Sequence, residues 1–429
     1  MKKVLNIVVA LVAFAVLLPS CAAEAQQEKS NKVVKTGIDV LESNGFKQLQ
    51  GKKIGLVTNP SGVNNKLVST VDILANAPGV ELVALYGPEH GVRGDIHAGD
   101  KVSDEVDPKT GVPVYSLYGK TRKPTPEMLK DVDAIVYDIQ DNGCRSFTFI
   151  STLGLLMEAA AENGKEVIVL DRPNPLGGNK VEGNIVEPGY FSFVSQFEIP
   201  YLYGLTVGEL AQLLNEEGML KGEKGTNDTI VKCNLTVVPM EGWSRDMVYT
   251  DTKLPWVLPS PHMPQAETSY YYPATGILGE LGYMSIGVGY TLPFQMVAAQ
   301  WINAAEFADA LNALNLPGVT FRPINVKPFY SVGKGENMGG VQIYITDYEK
   351  AHLTSIQFYI MQEVARMYPE HEVMANANDG RFRMFDLVSG SNFIREKFTE
   401  TKQYKDIEAH WNKDVESFKK LSAKYYLYK

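Results

Sequence analysis

Residues 132–145 read VDAIVYDIQDNGCR, and this stretch decides the fold. Val132 to Ile139 is an apolar run of strand length that empties into a polar, glycine-containing turn. The same unit recurs on both sides of it. Lys53 to Thr58 (KIGLVT) leads into Asn59-Pro60-Ser61-Gly62, and Val80 to Tyr86 (VELVALY) into Gly87-Pro88-Glu89-His90-Gly91. Glu166 to Leu170 (EVIVL) leads into Asp171-Arg172-Pro173-Asn174-Pro175. Leu67 to Ala75 and Ser151 to Asn163 have helical spacing. Strands alternating with helices predict an α/β fold with a Rossmann-like, doubly wound parallel sheet, over residues 34–255. From Pro255 the texture changes: a proline-rich run to Pro264, then Tyr270-Tyr271-Tyr272, which reads as an alternating strand face before it reads as a ring for stacking on a sugar. Strands at 321–326 and 341–346 and helices at 353–368 and 404–422 predict a smaller α+β domain over 256–429. Ligands of open parallel sheets bind at the carboxyl ends of the strands, where these polar loops lie.

The 429 residues are 45% hydrophobic and 21% charged, ordinary globular values that exclude a disordered chain. The length favours two domains. The formal charge is −9, and no Lys/Arg cluster offers a phosphate-binding face, which argues against nucleic acid. No G-x-G-x-x-G follows the first strand. Gly119-Lys120-Thr121 ends like a P-loop, but Val114 stands where its first glycine belongs, so no nucleotide is expected. Asp95, His97 and Asp100 follow Glu89-His90 closely but lack a metal-ligand register, and neither metal nor other cofactor is expected. Cys144 and Cys233 are too few to establish a disulfide.

Lys2 and Lys3 precede an apolar run from Val4 to Leu18, too short to span a bilayer comfortably and right for a signal segment. Leu18-Pro19-Ser20-Cys21 resembles a bacterial lipobox, so residues 1–21 read as a lipoprotein signal segment whose cleavage before Cys21 leaves that cysteine as the acylated N-terminus. Residues 22–33 read as a tether. The expectation is a protein lipid-anchored in the cell envelope, at the periplasm or outer membrane, meeting the membrane only through that anchor.

Three loops carry the candidate chemistry. Tyr86 to Gly94 (YGPEHGVRG) presents Glu89 and His90 between glycines, with Glu89 as a candidate general acid and Arg93 as a substrate contact or ion-pair partner. Tyr137 to Arg145 offers Gln140, Asp141 and Arg145: Asp141 as a base or orienting group, Arg145 as an anion clamp or an ion-pair partner. Asp171 to Gly178 (DRPNPLGG) offers Asp171 and Arg172. In the second half, Pro259 to Pro264 (PSPHMP) places His262 at the proposed domain boundary, where clefts form. No Gly-x-Ser-x-Gly elbow is present, which disfavours an esterase or amidase.

These motifs, in this order, resemble the exo-β-N-acetylmuramidase family, glycoside hydrolase family 171, formerly a family of unknown function. The matching stretches include GLVTNPSGV at 55–63, YGPEHGVRG at 86–94, GVPVYSLYGKTRKPTPEML at 111–129, YDIQDNGCR at 137–145, DRPNPLGG at 171–178, LPWVLPSPHMP at 254–264 and YYLYK at 425–429. The resemblance implies a cleft between two domains, no nucleotide or metal, and release of terminal N-acetylmuramic acid from peptidoglycan fragments. It puts Glu89 at the position of the leading catalytic candidate, and it leaves a sugar-binding lipoprotein without turnover as the alternative. The chain departs from the family pattern at Arg145-Ser146-Phe147-Thr148-Phe149, where two ring hydroxyls are missing, at Tyr203, at His262, and at Val288, where the family carries arginine. That arginine suggests a loop bordering the sugar's anionic substituent, whose carboxylate Arg145 or Arg172 otherwise binds.

Overall fold

A computed structural model describes residues 33–94, 105–222 and 229–429. The signal segment, Cys21, tether residues 22–32 and the Asp95, His97 and Asp100 group lie outside those residues. The first half runs α1 (Gly37–Ser43), β1 (Lys53–Thr58), α2 (Thr70–Ala75), β2 (Glu81–Gly87), β3 (Glu105–Val106), β4 (Pro113–Ser116), α3 (Pro126–Leu129), β5 (Ala134–Asp138), α4 (Phe149–Glu162), β6 (Glu166–Leu170), a small ribbon of β7 (Val181–Glu182) and β8 (Leu202–Tyr203), α5 (Val207–Glu216) and β9 (Asn234–Val238). The main sheet has the order β3-β4-β2-β1-β5-β6-β9, and every pair in it is parallel except β3 with β4. Without the short β3, that is the doubly wound order, with its topological switch between β1 and β5.

Period-2 alternation divides each strand between two cores. From β5, Ala134 and Val136 join Ile38, Leu41, Val71 and Leu74 on one face. Ile135 and Tyr137 join Leu153, Leu156, Leu210 and Leu213 on the other. Helix α5 starts with a capping box: Thr206 Oγ1 accepts the Glu209 N–H, and the Glu209 carboxylate accepts the Thr206 N–H.

The second half contains α6 (Thr268–Glu280), β10 (Met296–Ala299), α7 (Ala304–Ala313), β11 (Val319–Val326), β12 (Met338–Ile345), α8 (Ile356–Met367), α9 (Phe382–Ser389), α10 (Phe393–Thr401), α11 (Lys405–Trp411) and α12 (Val415–Ser422). Its sheet is antiparallel, in the order β10-β12-β11. Two expectations need correction. The tyrosine triplet lies on α6, where helical spacing sends Tyr270 to Tyr348 but Tyr272 to Phe147 and Phe294. The helix expected at 404–422 is two helices that part at Asn412–Asp414; Trp411, the last residue of the first, is buried and donates its indole N–H to Thr354. Cys144 and Cys233 are both free and buried.

The halves interlock. Cys144, Tyr201 and Leu202 from the first belong to the core of the second, and Tyr201 packs on Trp411. The closing YYLYK returns to the first half: Tyr428 donates to Asp171, the Leu427 N–H to Glu209, and the Arg245 guanidinium stacks on the Tyr426 ring.

The carboxyl ends of β1, β5 and β6 are joined by a buried ion pair. Arg172 Nε and Nη2 lie 2.6 and 2.9 Å from the two Asp138 oxygens, and Nη2 also donates to the Val63 carbonyl. Arg172→Ala leaves Asp138 charged and unpaired in the core, so equilibrium urea unfolding should show a loss of roughly 3–5 kcal/mol. A loss below about 1 kcal/mol would contradict this account of the sheet's carboxyl end.

Candidate active site

A cavity of about 470 Å³, of small-ligand size, opens beyond the carboxyl ends of β2, β4 and β5. Glu89 and His90 come from the loop after β2, Tyr118 and Arg122 from the segment after β4, and Ser146 to Phe149 from the lead into α4. The second half adds Ser260, His262 and Met263, then Tyr272, Phe294, Met384 and Leu387.

The Glu89 loop is tightly folded. The Gly91 N–H bonds to the Pro88 carbonyl at 3.0 Å, and His90 sits at φ 76°, a left-handed conformation that costs a non-glycine residue energy. Gly94 lies so close to the loop after β1 that a Cβ there would meet Pro60 Cγ at 2.3 Å. A carboxylate and an imidazole are therefore fixed against a rigid neighbour. Ser116 holds Tyr118, bonding both the Tyr118 N–H and its carbonyl, and the Tyr118 hydroxyl hydrogen-bonds Glu89. Burial is the first cause raising the Tyr118 pKa, followed by the Glu89 charge, so the hydroxyl stays protonated as a donor. Arg122 stacks on Phe193 with its guanidinium carbon 4.1 Å from the ring centre. His262 is tied to the Tyr330 hydroxyl at 2.7 Å.

The expected residues therefore divide. Glu89, His90 and His262 line one cavity; six others do not. Arg93 makes a fork to both Asp107 oxygens at 2.9 and 3.0 Å and reaches Asp72, fastening its loop to α2 and to the Asp107 turn. Its hydrogen bond is the main cause holding the Asp107 carboxyl at about 2. Arg145 is buried, donating to Ser195 Oγ and to the carbonyls of Asn184, Ile199 and Val388, so it joins the halves in place of clamping an anion. Burial lowers its pKa to about 10. Arg172 is committed to Asp138. Asp171 accepts from the Gly208 N–H, Thr206 and Tyr428, which makes it an anchor at the start of α5. Gln140 bridges the Asp141 and Pro173 carbonyls. Asp141 is buried, accepting from the Gly143 N–H at 2.8 Å and from the Tyr203 hydroxyl. The Val288 side chain packs on the first core and is not among the cavity-lining residues.

Sequence reasoning missed Tyr118 and Arg122, although both lie in the matched stretch 111–129. Two of the departures from the family pattern, Ser146–Phe149 and His262, fall on the lining itself.

The profile described as "Exo-beta-N-acetylmuramidase NamZ, N-terminal" matches residues 54–267, and the corresponding C-terminal profile matches 270–428. The chain belongs to the exo-β-N-acetylmuramidase NamZ family. It is 46% identical over 412 residues to the peptidoglycan beta-N-acetylmuramidase NamZ of Bacillus subtilis (strain 168), covering 95% of each chain. Two crystal structures similar to this chain are DUF1343 family proteins from Bacteroides fragilis NCTC 9343. One has TM-score 0.87 and 62% identity, over 92% of this chain and 99% of the other. The second has TM-score 0.72 and 27% identity, over 93% and 99%. Among the described residues, no group of three or more His, Cys, Asp or Glu side chains could hold a metal ion.

Burial raises the Asp141 pKa from 3.8 to about 6. A carboxyl raised in the folded state contributes stability that is present below about pH 4 and lost as pH rises through 6. Asp141→Asn should therefore be more stable than the parent at pH 8, by up to about 3 kcal/mol, with the gain vanishing near pH 4. Thermal unfolding across that range checks it; a variant less stable at pH 8 contradicts it.

Proposed function

We propose that this chain is an exo-acting β-N-acetylmuramidase that releases terminal N-acetylmuramic acid from peptidoglycan fragments, and that a lipidated Cys21 holds it in the bacterial cell envelope. Membership of the NamZ family and the similarity to the B. subtilis enzyme support the substrate; the signal-like run ending at Cys21 supports the anchor. One observation carries the reading: among the described residues, Glu89 is the only carboxylate lining the cavity, and a tyrosine hydroxyl is bonded to it.

Glycoside cleavage needs a proton on the leaving oxygen, and Glu89 is the acid in reach of the cavity. Glycosidases commonly pair that acid with a second carboxyl group at a set separation. With one carboxylate in the described lining, the 2-acetamido group of the sugar itself is the fitting nucleophile. Its carbonyl oxygen attacks C1 as Glu89 protonates the departing oxygen, and water then opens the cyclic intermediate. Tyr118 orients the Glu89 carboxyl, and the apolar wall of Phe147, Phe149, Tyr272 and Phe294 excludes water and faces the sugar ring.

Glu89→Gln keeps the shape but removes the proton donor, so turnover of a chromogenic N-acetylmuraminide should fall ~10²–10⁴-fold with unchanged thermal stability. Near-parental turnover would assign Glu89 a structural role. A trifluoroacetamido substrate, whose carbonyl is a poorer nucleophile, should react much more slowly; an equal rate would point to an enzyme nucleophile. Cys21→Ser should shift the protein out of the detergent phase, and unchanged partition would remove the anchor.

A further inference from the structure

Among the described residues, the cavity lining contains one arginine that the fold does not use. Arg93, Arg145 and Arg172, the other arginines of the candidate loops, are each committed to Asp107, to three carbonyls and Ser195, and to Asp138. Arg122 is different. Among the described residues its guanidinium makes no hydrogen bond and no ion pair; it lies on the Phe193 ring and borders Tyr118, 6.0 Å from that ring's centre. Stacking uses the face of the guanidinium and leaves its in-plane N–H fork for a planar acceptor. Its charge also acts on the Tyr118 hydroxyl, which in turn is bonded to Glu89. Glu89, Tyr118 and Arg122 thus form one wall of the cavity, in that order.

We infer that Arg122 is the specificity-determining residue that receives the lactyl carboxylate of N-acetylmuramic acid. The inference rests on the muramidase reading and deepens it. The sugar carries its glycosidic oxygen on C1 and its lactyl ether on C3. With the glycosidic oxygen at Glu89, the ring extends past Tyr118 and presents the carboxylate to Arg122. N-acetylglucosamine, which has only a hydroxyl at C3, leaves the fork unfilled. A carboxylate bound by an arginine that is already oriented by an aromatic face gives a charge-assisted, bidentate contact.

The test uses two glycosides of N-acetylmuramic acid, one with the free lactyl acid and one with its methyl ester, and three proteins: the parent, Arg122→Ala and Arg122→Lys. The parent should prefer the acid. In Arg122→Ala the ratio of kcat/KM for acid over ester should fall about 10- to 100-fold, the range for losing a charge-assisted hydrogen bond, and Arg122→Lys should restore part of it. Calorimetry with free N-acetylmuramic acid reads the same contact without turnover: affinity should drop by a similar factor in Arg122→Ala and depend little on Arg122 for N-acetylglucosamine. An acid-to-ester ratio and an affinity for the acid that both survive Arg122→Ala overturn the inference, whatever the turnover. A parent that binds the acid through Arg122 yet never cleaves the glycoside leaves the inference standing and overturns the muramidase reading.

Discussion

The buried Asp138–Arg172 pair is the constraint on which the rest of the structure depends. It joins the last residue of β5 to the loop after β6, and through the Val63 carbonyl to the loop after β1. Thr70 adds a hydroxyl to the same carboxylate. Two charges out of water are tolerated only with such complete pairing. The consequence is geometric. In most doubly wound sheets the crevice between the two switch-point strands takes the ligand. Here protein groups fill it: Ser61 accepts the Gln140 N–H, Thr58 bonds the Asp138 carbonyl, and Asn59 reaches across to the Pro259 carbonyl of the second half. The open space lies instead beside it, over β2, β4 and β5, roofed by the second half.

That roof is held by the same kind of commitment. Among the described residues Arg145 has no carboxylate partner; it ties Ser195 and three carbonyls together, one of those carbonyls at the end of α9. Residues 146–149, which follow it directly, line the cavity, and Ser146 meets the Tyr201 and Tyr272 hydroxyls. This cavity wall is therefore built on a clamp between the halves, so changes at Arg145 would reach the cavity from outside its lining.

The parallel sheet was legible because every strand ends in a polar, Gly/Pro-bearing loop, and the strand at 166–170 matches β6 residue for residue. Glu89 and His262 were legible as chemistry-bearing side chains in stiff loops. The arginines and aspartates left two readings open for one reason: a charged residue just past a strand reads alike whether it faces ligand or a buried partner, and only the partner distinguishes them. Asp138, the partner of Arg172, sits 34 residues away in sequence. Arg122 was missed for the opposite reason. It lies in a lysine- and proline-rich run resembling a solvated loop, and its role depends on Phe193, 71 residues further on. The tyrosine triplet misled because three adjacent aromatics suit a strand, while tertiary packing chose a helix.

The central claim is that the terminal sugar sits in the cavity at Glu89 and not in the crevice between β1 and β5. A crystal structure of the Glu89→Gln protein soaked with a disaccharide bearing terminal N-acetylmuramic acid tests it directly. The account predicts the muramic ring against Tyr272 and Phe294, its glycosidic oxygen within hydrogen-bond distance of the residue 89 amide. Density for the sugar over Ser61 and Gln140, or outside the cavity altogether, would contradict it.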